Sequence, residues 1–222
     1  MSVPEAPPLN GRRIAEFYTA SEVAKRSVLR AYALPAEEQE ARIILYDPVR
    51  KILPEYFDSG RDTAILDRVG AQLGERSFRT REFTEKWYKS NSSALRALQD
   101  LDLAGELIEV DSSRASVKVG RLRLVSTVDF YATFVPRLGK RRRVGVIIHP
   151  SGVAKPPEAR RTWINVESEV AWRAAVAQGI EIDEIMYIDL PKQEIRRYKG
   201  PRVRIWDEIG ATCERIINVT RS

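Results

Sequence analysis

The apolar residues of this 222-residue chain change period once, near residue 105, and that change limits its fold more than any other feature. Up to about residue 104 they recur at helical spacing between prolines and glycines, whereas from Glu106 they alternate with polar residues, as half-buried strands do. The spacing predicts helices over 21–34, 36–46, 48–57, 62–73, 80–89 and 92–101. Ser21 and Ser92 read as N-caps, and Asp47 reads as a cap followed by proline at the first helical position. Residues 1–10, with three prolines, read as a short disordered lead. Beyond the change, strands are expected at 107–110, 117–119, 122–125, 128–135 and 144–148. A helix over 158–178 follows, ending at Gly179, where a left-handed C-cap belongs. A buried strand at 185–188, an edge strand at 195–198 and an amphipathic helix over 201–219 close the chain. The expected fold is α/β: a helical N-terminal region (1–104) on an α/β core (105–222), as two units or one continuous domain, with a mixed five-stranded sheet.

Charge is as uneven as periodicity. Residues 121–160 carry nine Lys/Arg against two acids, and the other 182 residues sum to −1. A focused basic stretch attracts polyanions where scattered lysines mostly add solubility. The run Lys140, Arg141, Arg142, Arg143 sits at the turn between two predicted strands. A second cluster, residues 192–204, holds six cations and one acid, including Arg196, Arg197, Lys199, Arg202 and Arg204, with Tyr198 inside it and Trp206 just beyond. Basic residues interleaved with aromatics suit a nucleic-acid strand, which offers phosphates and stacking faces together. Residues 161–191 between the clusters are acidic, with a balance of −4, so the expected surface is polarised.

Several classes are disfavoured. No run of eighteen apolar residues and no basic-then-apolar leader is present, so neither a membrane partner nor secretion is expected, and the expected location is cytoplasmic. One cysteine, Cys213, cannot close an internal disulfide, and with one histidine no Cys/His zinc site can be assembled. Phosphate-loop and dinucleotide-binding glycine motifs are absent. A triad drawn from Ser126, His149 and Asp129 lacks a nucleophile elbow.

The order of antiparallel meander, helix and returning strand over 105–190 resembles the core of the PD-(D/E)xK nuclease superfamily, the restriction-endonuclease-like and RecB-like enzymes. In that scheme Asp129, in Ser126-Thr127-Val128-Asp129-Phe130, matches the second-strand acid. Where the family places acid-x-Lys, this chain reads His149-Pro150-Ser151. Phosphodiester cleavage in that superfamily uses carboxylates to hold a divalent cation and a lysine to orient water, and two of those three parts are replaced. The resemblance therefore implies a degenerate member with no cofactor. It would bind nucleic acid, DNA rather than RNA, without cleaving it, as an accessory subunit of a larger bacterial DNA-processing or defence assembly. The alternative is a Mg²⁺- or Mn²⁺-dependent nuclease with a rearranged site of Asp129, His149 and a carboxylate moved to the next helix, Glu167 or Glu169, with Lys155 as a moved cation. A third reading is a protein-interaction module whose basic face docks on an acidic partner. On the blander reading Asp129 pairs with Arg123 or Arg141 across the sheet, and His149 is a strand-end hydrogen-bonding residue.

Overall fold

A computed structural model describes residues 9–22, 24, 25, 28, 44–151 and 155–219. Strand β1 (Leu9–Asn10) runs into helix α1 (Gly11–Thr19). Helices α2 (Asp47–Asp58), α3 (Thr63–Leu73) and α4 (Arg81–Gln99) follow. The strands are β2 (Gly105–Asp111), β3 (Ser116–Val119), β4 (Leu122–Val125), β5 (Phe130–Pro136) and β6 (Arg142–His149). Helix α5 (Pro157–Ala177), strands β7 (Glu184–Asp189) and β8 (Glu194–Tyr198) and helix α6 (Val203–Val219) complete the order. The helices expected over 21–34 and 36–46 fall largely outside the described residues. Ser21 does accept the Ala24 N–H at 3.3 Å, as a cap would.

The chain is α/β, and its main sheet has five strands in the order β2-β5-β6-β7-β8. Within that sheet the β6–β7 pair is parallel and the other three are antiparallel, and α5 makes the crossover that a parallel pair requires. Helices α2, α3 and α4 cover one face, where Leu53, Phe57, Trp87 and Leu98 pack on Phe130, Phe134, Val146 and Ile148. Helices α1, α5 and α6 cover the other, where Ile14, Phe17, Val170 and Ile209 pack with Ile147, Ile185 and Tyr187. Coverage on both faces is why β6 and β7 read as nearly continuous apolar runs. Helix α5 stops because Gly179 takes φ +70°, the conformation anticipated for it. Among the described residues no helix is long and apolar enough to cross a membrane.

Three expectations are corrected. Strands β3 and β4 do not join the main sheet; they form a second sheet in the order β1-β4-β3, with β1 parallel to β4. Leu9 and Asn10, placed in the disordered lead, are therefore strand residues, held because Leu9 is buried beside Leu122 and Leu124. The helices expected over 80–89 and 92–101 are one helix, α4. Asn91 and Ser92 start nothing, because the Asn91 amide donates to the Leu45 and Trp87 carbonyls at 2.6 and 2.8 Å inside the packed face.

Candidate functional site

The register of the main sheet gives it two chemically different ends. Val144 pairs with Glu184 and His149 with Asp189, so β6 and β7 start together and finish together. Strand β5 runs the other way, which brings Asp129, just before its first residue, to the finishing end of β6, where its N–H donates to the Val146 carbonyl at 2.8 Å.

At that finishing end each acid meets an arginine. The Asp129 side chain is 7% exposed, and Arg50 of α2 donates to its Oδ1 at 2.8 Å while the Ile148 N–H donates to Oδ2 at 2.7 Å. Arg50 also donates to the Ile148 carbonyl, so it ties α2 to both strands. Burial pushes the Asp129 carboxyl above the usual carboxylate range, against the pull of Arg50 and the Ile148 N–H. The expected partners Arg123 and Arg141 are thus replaced by Arg50. Arg123 instead donates to Ser116 in the second sheet, and Arg141 lies at the far end of β6.

His149 lies flat against Tyr187, with ring centroids 4.9 Å apart, and its Nε2 is 2.9 Å from Glu167 Oε2. Trp163, one turn before Glu167 on α5, donates its indole N–H to the same oxygen at 3.0 Å. Arg12 of α1 approaches from the other side, its Nε 3.8 Å from Glu167 Oε1. Burial alone would raise the Glu167 carboxyl, but the charges of His149 and Arg12 outweigh it and hold the group down at about 2. With an ionised acceptor, the His149 Nε2 carries the proton in this contact. The 3.4 Å approach of Arg12 Nη2 to that same nitrogen is then packing, since neither nitrogen can accept. Beside them Arg160 Nη2 donates to Asp189 at 2.8 Å and to Glu194 at 2.5 Å. Lys155 sits over the Trp163 ring at 5.6 Å.

The structure thus brings Asp129, His149 and Glu167 to one end of the sheet and sends Glu169 elsewhere. Two positions along α5 turns a side chain to a different face. Glu169 accepts from the Tyr198 hydroxyl, from the Arg202 N–H at 2.8 Å and from Arg173 at 2.9 Å. Among the described residues no group of three or more His, Cys, Asp and Glu side chains is arranged to hold a metal ion. Asp129 has both oxygens engaged by protein donors, so a cation there would have to displace Arg50. Arg12, Arg50 and Arg160, the cations that complete the cluster, carry no local signal in the sequence, and the first two come from the helical half. Only the Trp163-to-Glu167 spacing, one helical turn, hinted at a shared face.

The starting end is different. The β5–β6 turn holds Lys140 and Arg141, and the turn after β8 holds Lys199 and Arg202. Because Ile185 of β7 pairs with Tyr198, both turns lie at the same end, on strands two places apart, hence about 10 Å apart laterally. The two basic clusters of the sequence thus meet in space. Five of the nine expected contact cations are engaged within the fold. Arg142 and Arg197 converge on Glu184, at 3.4 and 2.5 Å, and Arg143 donates to the Glu109 carbonyl at 3.0 Å. Arg196 pairs with Glu194 at 2.5 Å and Arg204 with Glu208 at 3.1 Å. Lys140, Arg141, Lys199 and Arg202 are exposed, and their cationic side chains form no ion pair among the described residues. No protein-family model matches the chain, and no curated protein sequence matches it at a significant level.

Proposed function

We propose that this chain binds nucleic acid without cleaving it, with DNA preferred over RNA, as a nuclease-like accessory subunit of a bacterial DNA-processing or defence assembly. The observation that carries the reading is the separation of charge along β6. The arginines at its finishing end are matched by Asp129, Glu167, Asp189 and Glu194, whereas the side chains of Lys140, Arg141, Lys199 and Arg202 at its starting end form no ion pair among the described residues. A polyanion is attracted to the uncompensated end. Arg142 and His149 are seven residues apart on β6, about 23 Å at strand rise, so a strand held at the basic end would not lie over Asp129. The order of β2, β5, β6, α5 and β7, with β7 beside β6, supports the likeness to the PD-(D/E)xK core. The groups that surround Asp129 support loss of its chemistry: His149 stands where that scheme has its second acid, Ser151 where it has lysine, and Arg50 occupies the Asp129 carboxylate.

Fluorescence anisotropy with labelled single- and double-stranded DNA and RNA, from about 50 to 200 mM salt, tests this reading. Replacing Lys140, Arg141, Lys199 and Arg202 together with alanine should weaken binding at every sequence and lower the duplex salt slope by about 3 to 4, since each phosphate contact contributes about 0.9. Arg204→Ala, which removes a cation already paired with Glu208, should change affinity little. Unchanged affinity in the fourfold variant would sink the basic-end reading. Mg²⁺- or Mn²⁺-dependent cleavage that disappears in Asp129→Ala would overturn the non-cleaving part.

A further inference from the structure

Between α5 and β8 lies a cavity of about 280 Å³ that no motif announced. Arg161, Asn165 and Ser168 face it from α5, at positions that share one side of the helix, and Arg196, Tyr198 and Arg202 face it from β8 and the turn beyond. Arg197 borders it too, but its guanidinium belongs to the opposite face of the sheet, paired with Glu184 and 4.4 Å from the centre of the Phe134 ring. Among the described residues, four arginines and no carboxylate line this cavity.

Its chemistry is set by what the neighbouring acids already do. Glu194 is shared by Arg160 and Arg196, and Glu169 by Tyr198, Arg173 and the Arg202 N–H. Arg161 and Arg202 therefore bring positive charge that no carboxylate among the described residues neutralises. Arg202 is also held in place, its N–H on Glu169 and its guanidinium 5.1 Å from the centre of the Tyr198 ring. Ser168 is wholly buried, and its Oγ has no hydrogen-bond partner among the described residues. A buried hydroxyl without a partner is costly, and this one lines a cavity to which the Arg161 and Arg202 guanidiniums and the Asn165 amide bring donors for an anion.

We propose that this cavity binds a phosphate monoester, the terminal phosphate of a nucleic-acid strand or of a free mononucleotide. The strand-end form rests on the nucleic-acid reading above. A monoester suits the site better than a passing backbone phosphate for two reasons. It carries a charge of about −1.5 to −2 at neutral pH, which matches two unneutralised guanidiniums capable of forked contacts. It also enters by one end, as a recess with wholly buried Ser168 on its wall requires, whereas a diester continues in both directions. Arg202 belongs to both the cavity and the basic end of the sheet, so a strand bound there would have its terminus within reach.

The test uses the whole chain and oligonucleotides that differ only at their ends: 5′-phosphate, 3′-phosphate or hydroxyl at both. One phosphorylated form should bind about tenfold or more tightly than the hydroxyl form, the gain from one or two charge-assisted hydrogen bonds. Arg161→Gln and Ser168→Ala should each erase that preference while leaving hydroxyl-ended binding as it was. Equal affinity for all three oligonucleotides would overturn the cavity proposal and leave the nucleic-acid reading standing. If no oligonucleotide binds but adenosine monophosphate raises the melting temperature of the wild type and not of Arg161→Gln, the nucleic-acid reading falls and the cavity is a mononucleotide site. No effect of any of these ligands would overturn both.

Discussion

Glu167 is a fully buried carboxylate held ionised, and its neighbours make that state essential. His149, Trp163 and Arg12 all face it, so neutralising it would remove the negative charge that the Arg12 guanidinium, the His149 N–H and the Trp163 indole N–H meet inside the fold. Breaking one partner of a buried ion pair costs about 3–5 kcal/mol, and Glu167→Gln should lower the urea unfolding free energy at pH 7 by that order. The pH dependence has a definite sign. A carboxyl near 2 in the folded chain and 4.5 in the unfolded one contributes stability that is complete above 4.5 and is lost as pH falls toward 2. Stability measured against pH should therefore drop over that interval in the wild type and drop less in Glu167→Gln. Asp129 has the opposite sign. Its carboxyl lies above 3.8, so its ionisation, as pH rises past 3.8 through the folded value, takes stability away. A neutral isostere is tolerated there: Asp129→Asn keeps an oxygen for the Ile148 N–H, leaves Arg50 28% exposed to water, and should cost less than Glu167→Gln in the same assay. At this scale the sequence was half readable. Asp129 and His149 stood out as a polar pair in apolar strands, but Arg12 and Arg50 come from helices 155 and 79 residues before the acids they meet, Glu167 and Asp129, and nothing local marks them.

At the scale of elements, period told strand from helix correctly wherever a segment had one wet and one dry face, as in β2 and α3. It failed where the signal was a single residue type. Ser92 looked like a cap, yet α4 runs through it from Thr80, whose side chain accepts the Phe83 N–H. A real cap would lose about 1 kcal/mol on replacement by alanine; Ser92→Ala, inside a helix, should leave stability unchanged or raise it slightly. Which sheet a strand joins is also invisible to period. The alternation in β3 and β4 only requires an apolar neighbour, and β1 with α1 supplies one as well as the main sheet would. Two glycines separate close approach from mere tolerance. A Cβ on Gly105 would sit 2.4 Å from the Val135 carbonyl oxygen and 2.7 Å from the Phe134 ring, so Gly105→Ala must pry β2 from β5. Overpacking of that kind costs about 1–3 kcal/mol. Gly70, inside α3, has open space around its missing Cβ, and Gly70→Ala should stabilise by about 0.5–1 kcal/mol. Chemical denaturation of the pair checks both signs.

On the scale of the whole molecule, the main sheet is shared between two apolar clusters. Its strands turn alternate residues to each face: Val146, Ile148, Met186 and Ile188 lie against α2, α3 and α4, while Ile147, Ile185 and Tyr187 lie against α1, α5 and α6. Arg50, reaching from α2 to Asp129 and the Ile148 carbonyl, adds a polar tie between the helical region and the strands. Neither face can be uncovered without exposing strands that the other face also needs, so the helical region and the α/β core should unfold together. Trp87 lies wholly within the first cluster and Trp163 within the second, which provides one reporter for each face. In each variant that retains only one of these tryptophans, the others replaced by phenylalanine, the fluorescence urea curve should coincide in midpoint and slope with that variant's own loss of far-ultraviolet helix signal, as a two-state transition requires. An earlier transition for the Trp87 reporter, with a shallower slope that reflects less surface exposed, would mean that α2, α3 and α4 come away as a separate unit. The shared strands would then not couple the two faces.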